Sequence, residues 1–383
     1  MNLFKRRQID PTVTVAESAA AATAVPQNEK RARGSTIIDM SSRPSFGQWL
    51  KVTWLDILTM AAMGMVGLGV YTAHPAPSRS FPVYFQDGEI VYPQFAYPLR
   101  NEIVPIWAAA LLASLVPIFV FLVMQIRIRS FWDVNNATIG LLYSLITAAV
   151  FQVFLKWLIG GLRPHFLTVC KPNVPITGEE TGNGLRQIMY DRTICTGDES
   201  EIDDSLESFP SGHSTAAFAG FVFLYLYLNA KLKVWSNYHP AMWKLLAIYA
   251  PILGATLIAG ALTIDEYHNW YDCLAGAIIG TVMAFSGYRM VYASIWDWRT
   301  NHIPLNRAAP FPGANAGAEL EHAVFTRKVG WGHGYGGGMS AGPVLGHGNG
   351  GGVAAPGVAG NSHSFGRKPV ATGHYRSGSD NMV

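Results

Sequence analysis

The chain has 383 residues, half of them hydrophobic and only 14% charged, with 28 Lys and Arg against 25 Asp and Glu. Ordinary soluble domains carry about 25% charged residues, so this balance argues against a soluble globular enzyme and against a disordered regulator. A net charge of +3 is also too small to mark a nucleic-acid binder.

Taken in order, residues 1–45 are polar and rich in Ala, Ser and Thr, the composition of a disordered tail. The leading MNLFKRRQID is basic but has no apolar stretch behind it, so no cleaved leader is expected. Six apolar stretches follow, at 54–73, 103–125, 137–155, 214–230, 243–263 and 273–288. A helix needs about 20 such residues to cross a hydrocarbon core. The second, IVPIWAAALLASLVPIFVFLVMQ, carries no charge at all, whereas the fourth and sixth are short. The expected fold is all-α: a bundle of six transmembrane helices over 46–300, between disordered tails at 1–45 and 301–383. The second tail is Gly-rich, and its His333, His347, His363 and His374 follow no metal-site spacing.

Basic residues set the expected orientation. Lys5, Arg6, Arg7 and Lys51 precede span one, and Arg127 and Arg129 separate spans two and three. Lys231 and Lys233 separate spans four and five, and Arg289 and Arg299 follow span six. Both termini are therefore placed in the cytosol. Trp49, Trp54, Trp107, Trp157, Trp243 and Trp270 fall near span ends, as interfacial anchors do. The only Asn-x-Ser/Thr sequence, Asn136-Ala137-Thr138, is then cytosolic, and a glycan there would reverse the assignment. The membrane itself stays open between endoplasmic reticulum, vacuole and plasma membrane.

This topology gathers polar residues on the lumenal or exterior face. Lys156 ends span three, with Arg163 and Pro164 after it in KWLIGGLRP; His213 opens span four in FPSGHS; His268 and Asp272 precede span six in DEYHNWYD. Ionisable groups at a span edge are costly and call for a reason. Lys156 and Arg163 offer fixed charge and forked donors to phosphate oxygens. Ser211 and Gly212 lie where a turn meets a helix start, and free N–H groups there favour an anion. His213 and His268 can divide the work of nucleophile and general acid. Asp272, four residues after His268, is one turn away if both are helical, able to fix the imidazole tautomer.

Lys156-x6-Arg163-Pro164, then Pro210-Ser211-Gly212-His213, then His268-x3-Asp272 resemble the three signature motifs of the type 2 phosphatidic acid phosphatases, the integral lipid phosphate phosphatases. The resemblance covers roughly residues 50–295, and 87–105 look like that family's first outer loop. It implies that His268 attacks phosphorus to form a phosphohistidine, oriented by Asp272, while His213 protonates the departing alkoxide. Lys156, Arg163, Ser211 and Gly212 would bind the phosphate, with no metal and no cofactor. The implied partners are a phosphorylated lipid substrate and membrane lipids, not nucleic acid; oligomeric state stays open.

Three positions depart from the family pattern. Ala261-Leu262 stand where the third motif begins Ser-Arg, so a cation that would contact the transferring phosphoryl group is missing. Loss of one such donor typically costs about 10²–10³ in rate. Asn269 replaces a second histidine, and Glu207 stands where a basic residue is common. Either another cation such as Arg186 or Arg192 substitutes, or the chain is a weak or non-catalytic member that binds phospholipid or scaffolds a complex. Restoring Arg at 262 is expected to raise activity if only that donor limits it. Cys170 and Cys195 both fall in the long outer loop, in an oxidising compartment, and are expected to pair as a disulfide flanking the site. Cys273 reads as a small apolar residue at the start of span six.

Overall fold

A computed structural model describes residue 40 and residues 42–73, 79–176 and 181–307. The chain divides into two units, Met1–Tyr335 and Gly336–Val383, and every described residue belongs to the first. Most of both tails, including His333, His347, His363 and His374, lies outside the described residues.

Eight helices carry the fold: α1 (Phe46–Tyr71), α2 (Ile106–Ile128), α3 (Phe131–Ile159), α4 (Phe166–Cys170), α5 (Glu199–Ser205), α6 (Gly212–Leu232), α7 (Met242–Ile264) and α8 (Trp270–Val291). Their ends follow local chemistry. Ser45 and Gln48 form a capping box at the start of α1, and Ser130 accepts the Asp133 N–H at the start of α3. Arg129 and Lys233 take the left-handed conformation that stops α2 and α6. Six of the helices, α1, α2, α3, α6, α7 and α8, are long and apolar enough to cross a membrane. Many of their large apolar side chains, among them Leu68, Phe119, Ile126, Leu158, Leu257 and Ile278, point outward. Such a surface suits lipid and not water. The chain is a multi-pass membrane protein.

Two spans start well before their apolar stretches, by six residues or more. Helix α1 begins at Phe46 instead of residue 54, because Lys51 does not break a helix and Asp56 ion-pairs with Arg307. Helix α3 begins at Phe131 instead of 137, because its polar first turns are buried and satisfied. Asn136 Nδ2 donates to the carbonyls of Val291 and Leu305, and Asn135 Oδ1 accepts from the Trp49 indole at 2.7 Å. Asp133, 1% exposed, accepts from Tyr227, Tyr292 and Gln125 and pairs with Lys231.

Helix α6 is the hub, packed against α8, α7, α2 and α3. Its Phe223, Leu224 and Tyr227 anchor the main core with Phe121, Leu141, Ile248 and Tyr288. Helices α6 and α8 touch at backbone distance: a Cβ added to Gly276 would lie 2.6 Å from the Ser211 carbonyl.

The segment between α3 and α6 covers one end of the bundle with a second small core of Phe166, Leu167, Val169, Cys170, Ile202 and Leu206 against Phe81 and Val83. Two short antiparallel strands, β1 (Phe81–Pro82) and β2 (Met189–Tyr190), join it to the α1–α2 connection. Cys170 and Cys195 are joined by a disulfide with Cα atoms 4.5 Å apart.

Candidate active site

At this covered end α3 finishes and α6 and α8 begin, so all three motifs meet there. The first is shaped by glycine. Gly160 (φ +55°) stops α3, and a Cβ on it would sit 2.9 Å from the Leu206 carbonyl. The turn then pairs with the strand leading into the second motif: Gly161 N–H donates to Leu206 O at 2.7 Å, Ser208 N–H to Gly161 O at 3.1 Å, and Arg163 N–H to Ser205 O at 2.9 Å. Lys156, on the last turn of α3, thereby lies 3.3 Å from Glu207 Oε2. The Arg163 guanidinium, buried, donates to Asp204 Oδ1 at 2.6 Å and stacks 5.1 Å over the Tyr267 ring.

Ser211 caps α6 and is fully buried. Its Oγ accepts the Ser214 N–H at 3.4 Å, and its own N–H donates to the Asp272 carbonyl at 3.1 Å. Ser214 Oγ donates to the Cys273 carbonyl at 2.6 Å, so the first turns of α6 and α8 are stitched together. Gly212 opens α6, and His213 follows with its ring 6.3 Å from that of His268.

His268 and Asp272 do not share a helix. Asn269 is the N-cap of α8, which leaves His268 in the preceding loop and Asp272 at the third helical position. The spacing of four therefore brings the pair together through a capping box, in which Asn269 N–H donates to Asp272 Oδ2 at 3.0 Å. Ser208 Oγ also donates to that oxygen, at 2.6 Å. His268 Nδ1 lies 3.7 Å from Asp272 Oδ2, longer than a hydrogen bond and an electrostatic contact in the resting site. Catalytic contacts of this kind commonly tighten when substrate binds. Burial pushes the His268 imidazole down to about 4, with Asp272 pulling the other way and Arg163 and Lys156 reinforcing the fall.

The loop that carries His268 is itself clamped. Leu262 O accepts from both Tyr267 N–H and His268 N–H, at 3.2 and 3.1 Å. His165, buried behind Arg163, contacts Glu266 O through Nδ1 at 3.1 Å and packs against Tyr267. Leu262, where the missing cation belongs, is fully buried among Ala259, Cys273, Phe218 and Tyr267. Of the two loop arginines, Arg192 ion-pairs with Asp203, and Arg186 is exposed in a left-handed turn at φ +59°. Besides Arg163 over Tyr267, Arg100 reaches this loop, 3.2 Å from Glu266 and 3.4 Å from the Ile264 carbonyl.

Some site residues escaped the sequence reading, and Glu207 and Asn269 entered it only as departures from the family pattern. Asp204 and Glu207 pair with Arg163 and Lys156, Ser208 holds Asp272, and Asn269 caps α8 while donating to Leu162 O at 3.1 Å. Glu102 brings Oε1 to 3.6 Å from His213 Nε2. The signal for Asn269 and Ser208 was visible as capping-type residues beside a motif; the carboxylates carried no local signal. Among the described residues no three His, Cys, Asp or Glu side chains gather as a metal site.

Next to the site, a cavity of about 410 Å³ shares Lys156, Ser208 and Asp272 with it. Its other walls are largely apolar, among them Phe81, Phe95, Leu162 and Phe209, and it includes Trp157 and Tyr271, which are partly exposed on the bundle surface.

Residues 137–296 match the PAP2 superfamily. The chain is 34% identical to lipid phosphate phosphatase 1 of Arabidopsis thaliana over 55% of its own length and 62% of the relative's, so it spans less than two thirds of that protein. It is 31% identical to probable lipid phosphate phosphatase 4 of the same plant, over 63% of this chain and 73% of the relative. It is 28% identical to diacylglycerol pyrophosphate phosphatase 1 of Saccharomyces cerevisiae, over 63% of this chain and 80% of the relative. No solved structure matches it. With six spans, three motifs converging at one end and relatives matched over most of their length, the chain belongs to the type 2 phosphatidic acid phosphatase family.

Proposed function

We propose that this protein hydrolyses the phosphomonoester of a phospholipid such as phosphatidate, through a phosphohistidine formed on His268. The observation that carries the reading is the pair of buried imidazoles, His213 and His268, 6.3 Å apart and flanked by Lys156 and Arg163. His268 attacks phosphorus while the bond from phosphorus to the glycerol oxygen breaks, and that oxygen takes a proton from His213. Water then attacks the phosphohistidine, giving its proton back to His213, and inorganic phosphate leaves. Asp272, held by Ser208 and Asn269, orients His268. Lys156, Arg163 and the start of α6 at Ser211 and Gly212 stabilise the charge that builds on the phosphoryl oxygens. These side chains carry the electrostatic work without a metal in this proposal.

The lipid character of the substrate is supported by the adjoining cavity, whose aromatic walls run from Lys156 and Asp272 to residues on the bundle surface. Acyl chains can stay in the bilayer while the phosphate reaches the site. In this reading the opposite end lies in the cytosol and the site on the lumenal or exterior side, which the basic residues there, Lys51, Arg127, Arg129, Lys231, Lys233, Lys244 and Arg289, support. Leu262 favours a second reading, a catalytically weak member that binds phospholipid.

The test is phosphate release from phosphatidate in mixed micelles with EDTA present, beside His268→Ala. The expected result is activity in the wild type alone, with an acid-labile phosphoryl label on the wild-type protein. Equal release from both proteins overturns the enzymatic reading, and no release from either supports the binding-only alternative.

A further inference from the structure

We infer that Glu102 is the positioning residue that keeps the general acid His213 protonated for attack on esters with poor leaving groups. The inference rests on the phosphatase reading above and adds a residue that none of the three motifs contains.

The charge around His213 poses the problem. Lys156 from α3, Arg163 from the following turn and His268 from the loop before α8 all lie close enough to act electrostatically on this ring. A general acid must nevertheless hold a proton when the leaving oxygen departs. The backbone solves half of this: the Val104 carbonyl hydrogen-bonds to the ring, which leaves Nε2 facing the site. That buried Nε2 has no hydrogen-bond partner, and the carboxylate nearest to it is Glu102, with Oε1 at 3.6 Å. At that distance an anion favours the imidazolium yet leaves the Nε2 proton free to go to a substrate oxygen.

Glu102 is fixed in place and not a passing surface acid. Its carboxylate accepts the Ile106 N–H at the first turn of α2, its neighbour Ile103 donates N–H to Asp265 Oδ2 at 3.1 Å, and Val104 holds the His213 ring. Three consecutive positions before α2, Glu102, Ile103 and Val104, thus tie the acid to its counter-charge and to the loop bearing His268. Arg163 attracts the Glu102 carboxylate, and Asp204 and Asp265 repel it. Burial raises its proton affinity, and Arg163 works against that rise.

The residue acts through His213, so its effect must scale with the need for a proton on the leaving group. Phosphatidate expels a diacylglycerol alkoxide, which cannot leave unprotonated; p-nitrophenyl phosphate expels a phenolate that can. General acid catalysis contributes about 10²–10⁴-fold. Glu102→Gln keeps the size of the side chain and an oxygen for the Ile106 N–H but removes the charge. The expected result is a fall in kcat at least about tenfold larger on dioleoyl phosphatidate than on p-nitrophenyl phosphate, with the basic limb of the pH profile moved to lower pH. In a His213→Ala background the same change should have no further effect. Equal losses on both substrates, or an additive loss in the His213→Ala background, overturn the inference and assign Glu102 to structure alone. A wild-type protein that releases no phosphate from either substrate removes the phosphatase reading, and this inference with it.

Discussion

Because burial holds the His268 imidazole at about 4, it is neutral, as the proposed nucleophile must be, across the whole range in which an ordinary histidine titrates. The acidic limb of kcat/KM should therefore fall near pH 4, not near 6.5, and a limb near 6.5 measured on the purified protein would contradict this. The same shift couples to stability. The unfolded histidine takes up a proton at about 6.5 and the folded one only near 4, so the unfolded state binds more protons between those values. Stability falls as the pH drops through that window, which thermal midpoints in detergent at pH 7 and pH 4.5 will show. Leu262 is the other decisive residue. Its side chain is enclosed, so Leu262→Arg introduces a charge into a packed apolar cluster at a cost of ~3 kcal/mol or more. A lower thermal midpoint is expected, and it offsets the gain that an added phosphate donor would bring.

The start of α8 is the element on which the site depends. Its capping box, the Ser208 hydroxyl and the Ser211 N–H all converge on Asp272. Ser208→Ala removes one hydrogen bond to a charged group, worth ~1.5 kcal/mol, and should lower kcat about tenfold at unchanged KM. A purely structural role would move the thermal midpoint instead. The motif residues were legible in the sequence because they are strung in fixed order at fixed spacing. The partners were not: Glu102 reaches His213 across 111 positions, and Asp204 reaches Arg163 across 41, through loops whose folding no local pattern records. The helical reading of His268 and Asp272 found the right pair by the wrong geometry, because a capping box and a helical turn bring similar spacings together. At the opposite end, Asp133 is the acceptor for three side chains and the partner of Lys231. Asp133→Ala leaves that ammonium buried and unpaired, and should cost about 3–5 kcal/mol by equilibrium unfolding.

For the whole molecule, hydropathy located six spans but not their arrangement. Helix α6 is the least apolar of the six and the most enclosed, with 72% of its central stretch inside the protein against 6% for α1. The other spans meet lipid, so their apolar faces are plain in the sequence; α6 meets protein on nearly every side, and its apolar stretch reads short. Orientation is a property at this scale too. An acceptor sequon engineered into 181–187 should be glycosylated in endoplasmic reticulum membranes and one engineered into 235–240 should not. The native Asn136 will stay unmodified because its amide is buried against Val291 and Leu305.

The enclosure of α6 also bears on how the protein is made. A helix that owes its place to neighbours instead of to lipid is a poor candidate for stable insertion on its own. During synthesis it emerges before α7 and α8, which supply two of its main contacts. The nascent chain must therefore hold α6 at the translocon, or let it lean on α2 and α3, until the last two spans arrive. The helix bearing Ser211, Gly212 and His213 is thus secured late, and the candidate site is completed only when biogenesis of the bundle is.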